Sequence, residues 1–174
     1  MGKHLKDEIV AAASRVLRRQ GLGGWSVDLV AAEAGCAKGL VAYHHGTKRA
    51  LLGAVGRELW RARQAQRLAA LSGSGAAALD ALWLVLTAAV REGGSVAFAA
   101  LSAEPGIETP PDSAEELAAL GAAIARALDL PEFPPAEARL AAAALDGFEL
   151  ALLRGASEES VHEAYHRLWL SFLG

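Results

Sequence analysis

A chain of 174 residues is long enough for one ordinary domain with a real core, or for a small module joined to a larger one. Alanine and leucine dominate its 53% hydrophobic content while isoleucine, tyrosine and phenylalanine are scarce, which disfavours strands and predicts an all-α fold. A single cysteine, Cys36, rules out an internal disulfide, and the start MGKHLKDEIV lacks the apolar core of a secretion signal. These two features make the cytoplasm the expected address; the longest apolar stretch, ALWLVLTAAV at 81–90, is about half of what a spanning helix needs, so no membrane partner is expected. The net charge of −3 is unevenly divided. Residues 1–71 carry 12 Lys and Arg against 5 Asp and Glu, a balance of +7, whereas residues 72–174 carry 5 against 15, a balance of −10. Opposite signs suggest two tasks, with the basic part suited to a polyanion.

The first helix is predicted from Lys6 to Gln20, with Ile9, Ala13, Val16 and Leu17 on one face. The glycines of QGLGG end it. Ser26 reads as an N-cap for a short helix in which Val27, Val30, Ala31 and Ala34 face the first, and Gly35 stops it. KGLVAYHH at 38–45 starts a third. Two short helices around a glycine turn, packed on a longer one, outline a helix-turn-helix. After the break at Gly46, Thr47 caps a helix reaching residue 71, roughly 37 Å long. SGSG at 72–75 is the clearest linker and coincides with the change of charge sign. Further helices are expected at 76–91, 95–104, 113–129, 135–154 and 158–172. The resulting division is a head at 1–46, a connecting helix at 47–71 and a second domain at 76–174.

A helix that reads DNA must approach base edges closely at its start, which Gly39 permits, and must carry groups that reach the phosphates, which Tyr43 and His44 can supply. Lys48, in the first turn of the long helix, can join free backbone N–H groups in holding a phosphate, and Ser26 is similarly placed. Residues 9–55, most plainly WSVDLVAAEAGCAKGLVAYHHGTKRALLGAV, resemble the amino-terminal DNA-binding domain of the TetR (tetracycline-repressor-like) family of transcriptional regulators. Ser26, Val27, Val30, Ala31, Ala34, Gly35, Gly39, His44, Lys48 and Leu51 stand in register with the family pattern. The expected DNA-binding set is therefore Ser26, Lys38, Gly39, Leu40, Tyr43, His44 and Lys48. Three positions depart from the pattern. Ala37 replaces a capping serine, worth roughly 0.5–2 kcal/mol of helix stability; Ala42 replaces a phosphate-touching tyrosine; His45 replaces a packed phenylalanine. Cys36 stands where the family has valine and reads as a small hydrophobe, not a redox group.

The second domain offers no nucleophile with its base, so no enzyme and no cofactor are expected. Its apolar volume includes Trp83, Leu86, Phe98, Leu101 and Phe133, a plain core by sequence alone; the resemblance implies a cavity for a small, mostly apolar effector, to which Trp60 is added. RLAAAALDGFELALL at 139–153 presents Leu140, Ala144, Phe148, Ala151 and Leu152 with Gly147 allowing close approach, and the final helix presents Val161, Tyr165, Leu168, Trp169 and Phe172. Such broad apolar faces predict a two-fold, four-helix dimer interface, as the resemblance also implies.

Residues 162–166 read HEAYH, a literal match to the H-E-x-x-H pattern of zinc peptidases, whose histidines share one helix face and grip one ion. After His166 the chain continues only as RLWLSFLG, with no further ligand, so neither a zinc hydrolase nor a selected metal site is expected, although the spacing is competent to chelate. The sequence thus predicts a homodimeric repressor that binds a near-palindromic double-stranded DNA operator and is released by its effector. The alternative is a helical dimeric ligand-binding module whose head has lost its reading function through Ala37, Ala42 and His45.

Overall fold

The structure, a computed structural model, describes residues 2–107 and 113–173. Within them the helices are α1 (Gly2–Gly24), α2 (Val27–Glu33), α3 (Lys38–His45), α4 (Lys48–Ala70), α5 (Gly75–Arg91), α6 (Gly94–Ala103), α7 (Ala114–Leu128), α8 (Pro135–Leu153) and α9 (Glu158–Ser171), and no strand occurs among the described residues. The all-α expectation holds. The glycines after Gln20 do not stop the first helix outright: Gly21 breaks its regularity with φ 65° and ψ 175°, a left-handed conformation that a side chain would resist, and helical turns resume to Gly24.

The helices gather into two compact units, Met1–Ala62 with Glu92–Pro110, and Arg63–Arg91 with Pro111–Gly174. This differs from the boundary drawn at SGSG, because α6 packs with the first unit. The cause lies in its sequence: Ala97 and Leu101 are buried in the same cluster as Ile9, Ala13, Val16 and Leu17 of α1, with Phe98 packed against it. Close approach at its start needs glycine, since Gly93 has φ 76° and a Cβ there would sit 3.3 Å from the Arg18 carbonyl oxygen.

The rest of the first core comes from Val30 and Ala31 of α2, Val41 of α3, and Leu51, Leu52 and Val55 of α4. Trp25, 3% exposed, ties the α1–α2 corner by donating from Nε1 to the Ala13 carbonyl at 3.1 Å.

The second unit is built from the end of α4 with α5, α7, α8 and α9 around Leu82, Leu86, Leu120, Ile124, Leu145, Val161, Tyr165 and Trp169. Its helix ends are strongly specified. Ser113 and Glu116 form a reciprocal capping box on α7, Pro135 opens α8, and Ser157 caps α9 through the Ser160 N–H. Tyr165 donates its hydroxyl to the Leu79 carbonyl at 2.7 Å, and burial pushes its pKa well above the ordinary phenol value.

Candidate nucleic-acid interface

The short helix α3 has one fully buried side chain, Val41, with His44 and His45 half-buried at its end, and turns the remainder outward. Lys38, Gly39, Leu40, Ala42 and Tyr43 are exposed, Tyr43 by 81%, while His44 is half-buried with its ring edge-on to Tyr43 at 5.1 Å. Leaving a tyrosine this open wastes apolar area unless something covers it. A Cβ built on Gly39 would meet nothing within 4 Å, so the fold itself does not require glycine there; what glycine provides is a bare backbone that another molecule can approach.

Neighbouring elements frame this helix. Ser26 caps α2, accepting from the Leu29 N–H at 3.3 Å, and Thr47 caps α4, accepting from the Ala50 N–H at 3.1 Å. The exposed Lys48 follows, its ammonium 5.4 Å from the ring centre of Trp25. Lys38 bonds Asp28 across the turn at 2.9 Å, an open ion pair that costs little to exchange for a phosphate. Ala37 is an N-cap without a side-chain bond, as its side chain dictates. All seven expected DNA-binding residues therefore lie on one unit, Ser26 at the start of α2, Lys38, Gly39, Leu40, Tyr43 and His44 on α3, and Lys48 at the start of α4. Leu40 and Tyr43 are the large apolar groups among them left open to solvent.

The charge of the unit is less free than composition suggests. Arg19 and Arg15 both bond Glu33 and hold its carboxyl down to about 2, so three charges at the α1–α2 junction are spoken for. His45, half-buried with Nε2 3.4 Å from the Lys6 carbonyl, has its pKa lowered chiefly by burial.

Of the six expected pocket residues, Trp60 stacks on Phe98 at 5.7 Å in the first unit, whose core also holds Leu101, while Trp83, Leu86 and Phe133 belong to the second. A groove of about 190 Å³ in the second unit, lined by Gln64, Leu68, Glu115, Glu116, Ala119 and Leu120, went unnoticed in the sequence, where Glu115 and Glu116 read simply as the start of a helix.

The expected dimer residues separate by exposure. Leu140 and Gly147 lie open on α8, and Ala144, Phe148, Leu152, Leu168 and Phe172 are half-buried. Val161 and Tyr165, 5% and 0% exposed, fill the unit's own core and leave no surface for a partner, a correction to the expected interface. Leu150, missed because it falls off the stripe chosen, is 41% exposed beside Gly147. In the HEAYH segment Glu163 is paired with Arg167 at 2.6 Å, and no group of three or more His, Cys, Asp or Glu able to hold a metal occurs among the described residues.

Residues 9–55 match the family described as bacterial regulatory proteins, tetR family. Comparison with curated proteins finds no match. Among solved structures, the multidrug binding protein EbrR complexed with ethidium is 30% identical with a TM-score of 0.68, the similarity covering 94% of this chain and 97% of that one. The same protein complexed with imidazole gives 31%, 0.64, 93% and 88%. A member of the TetR family from Streptomyces coelicolor A3 is 31% identical at a TM-score of 0.62, covering 94% and 97%. Likeness of this extent over nearly the whole chain, joined to the match of the helix-turn-helix at residues 9–55, makes this protein a member of the TetR family of bacterial regulatory proteins.

Proposed function

We propose that the protein is a cytoplasmic, ligand-responsive transcriptional repressor that binds a near-palindromic DNA operator as a homodimer. The observation that carries this reading is α3, anchored by Val41 and offering Lys38, bare Gly39, Leu40 and Tyr43 outward beside Lys48. In a complex, Gly39 and Leu40 meet base edges, the leucine suiting a thymine methyl, while Tyr43, His44, Lys48 and the end of α2 at Ser26 hold phosphates. No helix among the described residues is by itself long and apolar enough to cross a membrane.

The effector in this reading is a small, largely apolar molecule, and a planar aromatic cation fits best. EbrR, the similar structure, is known in complexes with ethidium, malachite green and proflavin, and the second unit here is acidic, with Glu115 and Glu116 beside Leu68 and Leu120. An effector that weakens DNA binding by some factor is itself weakened equally by DNA.

The second copy docks on α8 and α9, where Leu140, Gly147 and Leu150 are open and Ala144, Phe148, Leu152, Leu168 and Phe172 are half-buried. The test is titration of labelled duplex from upstream of the protein's own gene at two salt concentrations. Binding that weakens steeply with salt, and is lost in Tyr43→Ala and Lys48→Ala variants that still dimerise and melt normally, is expected. Salt-independent binding, or none, overturns the reading and favours the module with a degenerate head.

A further inference from the structure

His162 and His166 bring their Nε2 atoms within 3.1 Å of each other on the surface of α9. We propose that these two imidazoles form a chelating site for one divalent transition-metal ion of the nickel, copper or zinc type.

The distance itself is the first argument. Two nitrogens each about 2.0–2.1 Å from a shared ion and 3.1 Å apart subtend roughly 95–102° at the metal, between the right angle of tetragonal coordination and the tetrahedral value. Binding breaks the Nε2···Nε2 hydrogen bond, releases its proton and turns both lone pairs onto the ion, a change of ring orientation and not of backbone.

The first ligand is also held in place. The His162 ring lies 4.6 Å from the ring of Trp83, and Tyr165 stacks beside it at 6.2 Å with 14° between the planes. His166 meets it edge-on at 4.3 Å and is exposed, so ions reach the pair from solvent and water completes the coordination. Glu158 and Glu159 in the first turn of α9 add negative charge nearby.

The same geometry separates this site from the peptidase that its sequence imitates. Glu163, which would be the base, is engaged by Arg167, and the site offers two protein ligands where a catalytic zinc takes three. The ion would bind without hydrolytic chemistry. At about 100° per residue, Leu168 of α9 and its C-cap Phe172, the two residues of this helix proposed for the second copy, fall about 120° and about 80° from His162, on the side away from His166.

Binding would tie one turn of the last helix and touch Trp83 through His162. An i, i+4 pair converges only while the helix is formed, so the ion would raise the melting temperature.

The test uses the full-length chain without a purification tag, titrated with nickel chloride and followed by calorimetry, tryptophan fluorescence and melting temperature. One ion per chain, quenched fluorescence and a raised melting temperature are expected. All three are lost in His166→Ala, whose side chain is exposed and whose removal leaves the core intact, and retained in His4→Ala. A His162→Ala variant behaves as His166→Ala does, with His166→Gln standing in should loss of the Trp83 contact disturb folding. Equal binding by the wild type and His166→Ala, loss in His4→Ala instead, or no binding by the wild type overturns the proposal.

Discussion

Arg67 and Glu149 meet at 2.8 Å with side-chain exposures of 1% and 4%, joining the last turns of α4 to α8 through a buried ion pair. Arg63 adds a second guanidinium 3.0 Å from Glu149, and the half-exposed Asp146 bonds both arginines at 2.7 and 2.8 Å. Burial, and then the charge of Arg67, lower the Arg63 pKa against the opposing pull of Glu149 and Asp146, so the two carboxylates offset only part of the cost of burying the guanidinium. Glu149 is thus its keystone. A Glu149→Leu variant takes the buried carboxylate away from two desolvated cations and is expected to lose about 3–5 kcal/mol by chemical denaturation. Asp146→Asn, at an exposed edge, costs far less. Near-equal stability of the wild type and Glu149→Leu would show that water reaches the arginines freely.

This cluster also marks where sequence reading stops. Ser26, Gly35, Gly46 and Thr47 act through their own backbone and their nearest turns, so the limits of α2 and α3 were legible to within a residue or so. The partnership of Arg63 and Arg67 with Asp146 and Glu149 spans about eighty residues and leaves no local trace. Those two arginines counted towards a basic half suited to a polyanion, yet they serve the interior of the acidic unit. The place of α6 was hidden for a related reason: SGSG is a real break, but which core Ala97 and Leu101 enter is decided by packing on α1. Tyr165 and Val161 share a stripe with Leu168, and periodicity does not say which side of a stripe meets its own protomer.

Ala37 occupies the N-cap of α3 with extended backbone, φ −72° and ψ 142°, the conformation a serine cap adopts. Ala37→Ser should therefore fit without rearrangement, its hydroxyl accepting from the first N–H groups of α3. The expected gain is about 0.5–1 kcal/mol, seen as a higher melting temperature. The same variant should bind DNA more tightly if fraying of α3 limits affinity. A fall in melting temperature would mean that the turn is shaped by contacts other than the cap.

His45 sets an acid limit on the first unit. Its pKa is lowered in the folded chain, chiefly by burial, so the unfolded chain binds the proton more readily. The contribution is complete above the unfolded value of about 6.5 and is lost progressively as the pH falls from there towards the folded value. His45→Phe removes the titrating group and keeps the half-buried bulk. Melting temperatures measured between pH 7 and 5 should fall less steeply for His45→Phe than for the wild type; parallel curves would assign the acid loss to other groups.

Gly147 offers the cleanest probe of the proposed dimer, because it lies exposed on α8 and a Cβ there meets no atom of its own protomer within 4 Å. Glycine in a helix interior costs roughly 0.5–1 kcal/mol relative to alanine, so its position here works against the isolated chain. Two α8 helices crossing at this point could approach closely only if it stays small, with Leu140 and Leu150, 55% and 41% exposed, closing over the contact from either side. Gly147→Gln places a polar side chain in that gap without touching the protomer core. Sedimentation should show the wild type as a dimer and Gly147→Gln as a monomer with helical content intact, and the monomer should lose most of its operator affinity because its two half-sites no longer share one binding event. A Gly147→Gln variant that remains dimeric would move the interface away from α8 altogether.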